Sequence, residues 1–263
     1  MSCEVALIGF GEAGSTFAAA GGWDSRGCTY DVLPVRRAAA GAMARESAAE
    51  ALADAPLVIS LVTADAALPA ARDYAALLSP GAIWCDGNSV APGTKRAAAK
   101  AIEAAGGRYV DLAILAPVHP ARLAVPLLLA GRAAADAETR LRALGFSNVR
   151  IVGEEVGRAS AIKMIRSVMV KGIEALTDEM MEAARAAGVE DEVLSSLDAS
   201  EKALPWARRA AYNLERMETH GARRAAEMDE SAKTLLSLGV APVMTHGTVL
   251  RQRQAPGRKG EIA

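Results

Sequence analysis

Short unbroken apolar runs alternate with longer stretches that repeat alanine and leucine at helical spacing, and this alternation persists as far as Gly153. Val5-Ala-Leu-Ile8 is the first run, and it passes through Gly9-Phe-Gly-Glu-Ala-Gly14 into the helix-compatible Ser15-Thr-Phe-Ala-Ala-Ala20. Cys28-Thr-Tyr-Asp31 follows; Leu33 to Arg37 then reads as a loop and Ala42-Met-Ala-Arg45 as a short strand. Ser47-Ala-Ala-Glu50 has the serine-to-glutamate spacing that opens a helix with a capping box. Leu57-Val-Ile-Ser-Leu-Val62 is the continuous apolar run of a parallel strand covered on both faces, and it ends at Thr63-Ala-Asp65. A helix from about Ala66 to Leu78 stops at Ser79-Pro-Gly81, and the strand Ala82-Ile-Trp-Cys85 leads to Asp86-Gly-Asn-Ser89. Another helix runs from Pro92 to Gly106-Gly107, followed by a strand over Arg108–Leu115. Leu127–Ala130 and Val149–Val152 complete the sheet on either side of a helix near Asp136 to Leu144. The rhythm predicts an α/β fold, a doubly wound parallel sheet that binds ligands at the carboxyl ends of its strands.

From Glu155 the strand signal stops, and the pattern to Ala187 reads as one helix of about 33 residues, roughly 50 Å long. The expected organisation is a dinucleotide-binding domain over 1–153 and an all-α domain over 154–263, joined by that long interdomain helix. Breaks are expected at Gly188, Pro205, Gly221 and Gly239.

Apolar residues make up 51% of the chain but aromatics only 4%, so the core must be assembled from Ala, Val, Leu, Ile and Met. The formal charge of -1, with no long block of Lys and Arg, offers nothing to grip a nucleic-acid backbone. The basic Arg251–Lys259 tail reads as a frayed, solvated terminus. Cys3, Cys28 and Cys85 are odd in number and widely spaced, which fits neither a disulfide framework nor a metal cluster and points to a reducing compartment. The chain opens inside its first strand, with no room for a signal peptide, and no run reaches the ~20 apolar residues of a membrane span. A cytoplasmic protein with no membrane partner is the expectation.

The turn after the first strand carries the candidate chemistry. In Gly9-x-Gly11-x-x-Gly14, Gly9 allows the tight turn, Gly11 lets the backbone approach phosphates, and Gly14 lets the helix pack while its amides face the anion. Strand, turn and helix occur in the order a Rossmann dinucleotide site requires. Asp31 ends the next apolar stretch about twenty residues after Gly11, where a carboxylate meets ribose hydroxyls. Gly9, Phe10, Gly11, Glu12, Ala13, Gly14 and Asp31 are therefore assigned to the cofactor, with Val62 and Thr63 at the end of the next strand. A glycine-rich loop without a ligand is the alternative.

Three further stretches carry a resemblance: Asp86-Gly-Asn-Ser-Val-Ala-Pro-Gly-Thr94, Asp111-Leu-Ala-Ile-Leu-Ala-Pro-Val118 and Gly157-Arg-Ala-Ser-Ala-Ile-Lys163. With the glycine motif, they make the chain similar to the β-hydroxyacid dehydrogenase superfamily, which includes 6-phosphogluconate and 3-hydroxyisobutyrate dehydrogenases, and most of all to its 6-phosphogluconate dehydrogenase-like branch. The resemblance implies that Lys163, on the long helix, is the general acid/base for the substrate hydroxyl. Hydride transfer from an alcohol carbon requires loss of the O–H proton, and a lysine serves if desolvation or a nearby cation such as Arg166 lowers its pKa from about 10.4. An ordinary surface lysine is the alternative.

Asn88-Ser89 resembles the Gly-Asn-Ser stretch of 6-phosphogluconate dehydrogenase and is placed to bond the nicotinamide side or a substrate hydroxyl or carboxylate; a turn role for Asp86-Gly-Asn is compatible with this. Ser167 lies one helical turn beyond Lys163, where relatives usually carry asparagine, and Glu174 lies farther along that stripe. A hydroxyl reaches less far than an amide, so substrate orientation does not transfer. Lys171 either binds an acid group or pairs with a carboxylate. Where relatives have a Ser-Gly-Gly loop, this chain reads Pro117-Val-His-Pro120, which lacks the same backbone approach. His119 contacts substrate or simply occupies the loop, and a phosphorylated sugar acid is disfavoured. His220, Arg223 and Arg224 fall where the family reaches a neighbouring site, or are solvated; His246 has no evident partner, and no metal site is indicated.

Asp31 favours NAD, since its carboxylate repels a 2′-phosphate, while Arg36 and Arg37 keep NADP open. The expected activity is an NAD(P)-dependent dehydrogenase or reductase acting on a small hydroxy acid or its carbonyl counterpart. An imine reductase-type enzyme and a dinucleotide-binding sensor with an altered site are the alternatives. The helical domain is expected to pack against a second copy in a homodimer.

Overall fold

The computed structural model describes residues 3–200 and 204–255. The chain forms two compact units, Met1–Ser167 and Val168–Ala263. In chain order the elements are β1 (Val5–Ile8), α1 (Glu12–Gly21), β2 (Gly27–Tyr30), α2 (Pro34–Ala39), α3 (Ala48–Leu52), β3 (Leu57–Ser60), α4 (Ala67–Tyr74), β4 (Ile83–Asp86), α5 (Pro92–Ala104), β5 (Arg108–Ile114), β6 (Leu127–Ala130), α6 (Ala134–Ala143), β7 (Val149–Gly153), α7 (Arg158–Ala187), α8 (Glu190–Ser200), α9 (Trp206–Ser237) and α10 (Val243–Gln254).

The first unit holds a seven-stranded sheet in the order β2-β1-β3-β4-β5-β6-β7. Side chains alternate between faces along each strand. Val5, Leu7, Leu57 and Ile59 enter one core with Phe17, Trp23 and Phe146, while Ala6, Ile8, Val58 and Trp84 enter a second core with Ala71, Ala98 and Ile102. Both faces are covered, which is why these strands read as unbroken apolar runs. Phe17 of α1 meets Phe146 edge-to-face at 5.0 Å, and Trp23 Nε1 donates to the Leu144 carbonyl at 3.1 Å. Each buried ring contributes about 1.5–3 kcal/mol, and together they hold α1 with its amino terminus at the strand ends.

Four expectations are corrected. The sheet is mostly parallel, but β6 runs antiparallel to β5. The connection between them contains only a 3-10 turn at Arg122–Ala124, too short for the crossover that a parallel neighbour needs. The segment read as a loop over Leu33–Arg37 contains α2, because Pro34 at its first position has φ already set for a helix. Ala42–Arg45 is not a strand: Gly41–Met43 forms a 3-10 turn that buries Met43, and only Ala44 bridges, to Thr29. Gly221 does not break a helix but lies buried within the 32 residues of α9. A mid-helix glycine costs about 1 kcal/mol against alanine, and packing overrides that preference.

In the second unit, α10 packs on α9 and Arg253 pairs with Asp229. Arg251–Gln254, read as frayed, is the last turn of α10, Ala255 after it is buried, and residues 256–259 of that basic tail lie outside the described residues. Helix α7 has 30 residues, close to the length expected of the long helix. Among the described residues no helix is long and apolar enough to cross a membrane.

Candidate active site

The parallel strands β1 and β3 end side by side, with Ile8 paired to Ser60, and the chain leaves β1 into the glycine turn. Gly9 has φ +94°, and a Cβ there would lie 2.7 Å from the Leu61 carbonyl oxygen, so the turn needs glycine. A Cβ on Gly14 would lie 2.7 Å from the Gly9 carbonyl, which measures how closely α1 approaches the strand. Ser15 N donates to the Gly11 carbonyl, so the amides of Glu12, Ala13 and Gly14 precede the first intrahelical bond and sit at the positive end of α1. This is the cradle that a dinucleotide pyrophosphate requires, and the residues present fit that group.

Asp31 is buried just past the end of β2. Its Oδ2 accepts from Phe10 N at 2.8 Å, and its Oδ1 accepts from Leu33 N at 2.9 Å. Arg36 approaches Asp31 Oδ2 at 3.8 Å, and Arg37 donates to the Asp31 carbonyl at 2.8 Å. The carboxylate is thus fixed against the turn, with one guanidinium beside it.

A cleft of about 330 Å³ opens at the strand ends. Glu12 and Ala13 of α1 form one side; Leu61, Val62 and Ala64 follow β3; Gly87, Asn88 and Ser89 follow β4; Ile114, Ala116, Pro117 and Val118 come from the end of β5, and Lys163 comes from α7. Lys163 Nζ donates to Ser89 Oγ at 2.5 Å. Asn88 is buried, its amide nitrogen donating to Ser60 Oγ and Asp86 Oδ1, while its Oδ1 has no hydrogen-bond partner. An acceptor left unpaired in a cleft wall costs about 1–3 kcal/mol until a donor arrives.

The expected site residues thus divide. The glycine turn, Val62, Asn88, Ser89 and Lys163 come together. Arg166 is adjacent, exposed, with Nη1 on the Leu115 carbonyl at 3.1 Å. Thr63 bonds Asp65, holding that carboxyl below its ordinary value, and does not line the cleft. His119 Nε2 lies 3.0 Å from Thr16 Oγ1 on α1 and is also outside the lining. Ser167 is half-buried and outside the lining as well. Exposed Lys171, with Glu174, His220, Arg223, Arg224 and His246, belongs to the second unit.

Sequence reasoning missed the buried polar cluster beneath the cleft. Asp86 of β4 is directly paired with Asp111 of β5, and both are fully buried, as is Lys95 of α5. Lys95 Nζ contacts Asp86 Oδ1 at 2.9 Å and Asp111 Oδ1 at 3.5 Å, and it donates to the Asp86 carbonyl at 2.5 Å. Tyr109 OH donates to Asp86 Oδ2 at 2.7 Å; burial, then the Asp86 charge, pushes its phenol pKa far up, so it stays a donor. Asp111 Oδ2 accepts from Gly157 N at 3.1 Å, Ser160 N at 2.9 Å and Ser160 Oγ at 3.0 Å, at the amino end of α7. One signal was present in the sequence: Lys95 interrupts the apolar stripe of Ala98, Ala99 and Ile102.

Residues 4–146 match the family model of the NAD binding domain of 6-phosphogluconate dehydrogenase, and residues 184–255 match a domain of unknown function, DUF1932. A conserved hypothetical protein from Sinorhizobium meliloti 1021 is 38% identical, with 100% of this chain and 92% of that one covered and a TM-score of 0.63. A conserved protein of unknown function, described as structurally similar to 3-hydroxyacid dehydrogenases, is 31% identical over 95% of this chain and 96% of its own, with a TM-score of 0.60. An imine reductase from Streptomyces aurantiacus shares the fold at 19% identity, with 95% and 93% covered and a TM-score of 0.77.

Proposed function

Because this chain belongs to the family defined by the NAD binding domain of 6-phosphogluconate dehydrogenase, we propose that it is an NAD(P)-dependent oxidoreductase interconverting a small hydroxy acid and its carbonyl counterpart, with Lys163 as general acid/base. The observation that carries this is the Lys163–Ser89 contact of 2.5 Å, in a cleft whose wall includes Glu12 and Ala13 from the amino end of the glycine-motif helix.

In this reading the amides of α1 hold the pyrophosphate and Asp31 takes the ribose hydroxyls, with Val62 alongside. When bound, the nicotinamide dinucleotide supplies or accepts the hydride. Lys163 moves the proton at the substrate oxygen, and Ser89 orients its amine. Asn88 Oδ1 accepts from a nicotinamide amide or a substrate hydroxyl, while Arg166 and Ser167 serve the substrate side of the same helix. We assign NAD as the preferred cofactor, since a 2′-phosphate would approach the fixed Asp31 carboxylate with Arg36 as its counter-charge. The apolar wall at Ala116, Pro117 and Val118 offers little to an anionic substrate group and favours, as a second reading, a neutral carbonyl or imine.

The test is nicotinamide turnover over hydroxy acids, aldehydes, ketones and imines, with NADH and NADPH and their oxidised forms. Turnover in at least one class, faster with NAD(H), is expected, and Lys163→Ala should lower kcat by about 10²–10⁴ while cofactor affinity holds. Tight cofactor binding without turnover of any compound would make the protein a sensor. An unimpaired Lys163→Ala would remove the general acid/base.

The proposal includes a homodimer. Met169, Ile173 and Leu176 follow one another at helical spacing on the part of α7 in the second unit, with exposures of 50%, 45% and 44%. An apolar stripe of this length calls for cover, and a second copy supplies it.

A further inference from the structure

We infer that Lys95 is a positioning residue for the reaction proposed above: by tying Asp86 to Asp111, it sets the separation between the loop carrying Asn88 and Ser89 and the helix carrying Lys163. The inference rests on that functional reading for its purpose, though not for its geometry.

Two carboxylates face each other on neighbouring strands with a single buried ammonium between them. Such a cluster is a poor source of stability, because a well-packed apolar set of the same volume is commonly as stable. Its other contacts indicate what it does. Asp86 Oδ1 accepts from Asn88 N at 3.0 Å and Asn88 Nδ2 at 2.8 Å, which sets the conformation of the cleft loop. Asp111 Oδ2 gathers Gly157 N, Ser160 N and Ser160 Oγ, which pins the first turn of α7. Lys163 follows Ser160 by one turn, so its amine inherits that anchorage. Contacts and chain connectivity together link Lys163 through Ser89, Asn88, Asp86, Lys95 and Asp111 to Ser160, one turn before Lys163 on α7. Lys95 acts on the cleft through the elements its partners hold: the loop after β4 by way of Asp86 and the first turn of α7 by way of Asp111.

The test uses the full chain and reads the Lys163 amine without needing a substrate. Trace acetylation with acetic anhydride, followed by peptide mass spectrometry, gives the labelling of Lys163 relative to exposed Lys100 in the same sample. In folded Lys95→Met and Ser160→Ala proteins this ratio should change by about threefold or more, because the amine's neighbours shift. Arg108→Ala, which removes only the surface pair with Asp136, should leave it unchanged. A merely structural Lys95 would lower the melting temperature and leave the ratio at its wild-type value in both variants, which would overturn the inference. Should Lys95→Met not fold, Lys95→Gln, which keeps a polar donor at the site but removes the charge, decides in its place by the same ratio. With a compound that turns over, kcat should fall about tenfold while cofactor KM stays within about twofold. A wild type that turns over nothing refutes the functional reading, whereas the labelling ratio still decides the positioning.

Discussion

A methyl group placed on Gly9 would lie 2.7 Å from a backbone oxygen, whereas one on Gly11 would meet only the end of the Arg36 side chain, at 2.9 Å. The two glycines therefore serve different ends. Gly9→Ala forces a φ of +94° on a residue with a Cβ and should cost about 2 kcal/mol or more in unfolding experiments, together with NADH binding. Gly11→Ala should stay within about 1 kcal/mol of wild type yet bind NADH about tenfold more weakly or worse, because the methyl occupies the approach of the phosphates. Equal loss of stability in both variants would contradict this division. At this scale the local motif was readable, because strand, glycine spacing and helix are contiguous. His119 was not: its partner Thr16 lies 103 residues away, and no spacing rule connects them.

Helix ends divide in the same way. Ser47 caps α3 from within, accepting from Glu50 N at 3.2 Å, and Glu50 Oε2 reaches back to Glu46 N. That pattern spans a few residues and was legible. The amino ends of α7 and α10 are instead capped from afar, by Asp111 and by Glu179. Glu179 accepts from Met244 N at 2.7 Å, Thr245 N at 2.9 Å and Thr245 Oγ1 at 2.5 Å. Burial alone would raise its carboxyl pKa, but these hydrogen bonds outweigh burial and hold it below the ordinary value. A depressed carboxylate stabilises the fold above its unfolded pKa of about 4.3 and loses that contribution as pH falls through the folded value. Glu179→Gln should thus cost about 2 kcal/mol at neutral pH, with the deficit closing below about pH 4. Exchange protection of the Met244 and Thr245 amides across that range checks this. A deficit that stays constant into acid would contradict it.

For the whole molecule, sedimentation equilibrium at micromolar concentration should show a dimer, and Ile173→Glu should shift it toward monomer by placing a charge on the exposed stripe of α7; a wild-type monomer would remove the homodimer. The sequence by itself determined the class of fold, the glycine turn and the long helix, because each is written in contiguous residues whose periodicity or spacing carries the signal. Only the tertiary structure decided that β6 runs antiparallel, that Met43 turns inward, that Thr63 and His119 stand outside the cleft, and that Lys95 joins Asp86 to Asp111. Those outcomes depend on residues far apart in the chain, whose burial and charge take their meaning from the neighbours that folding brings to them.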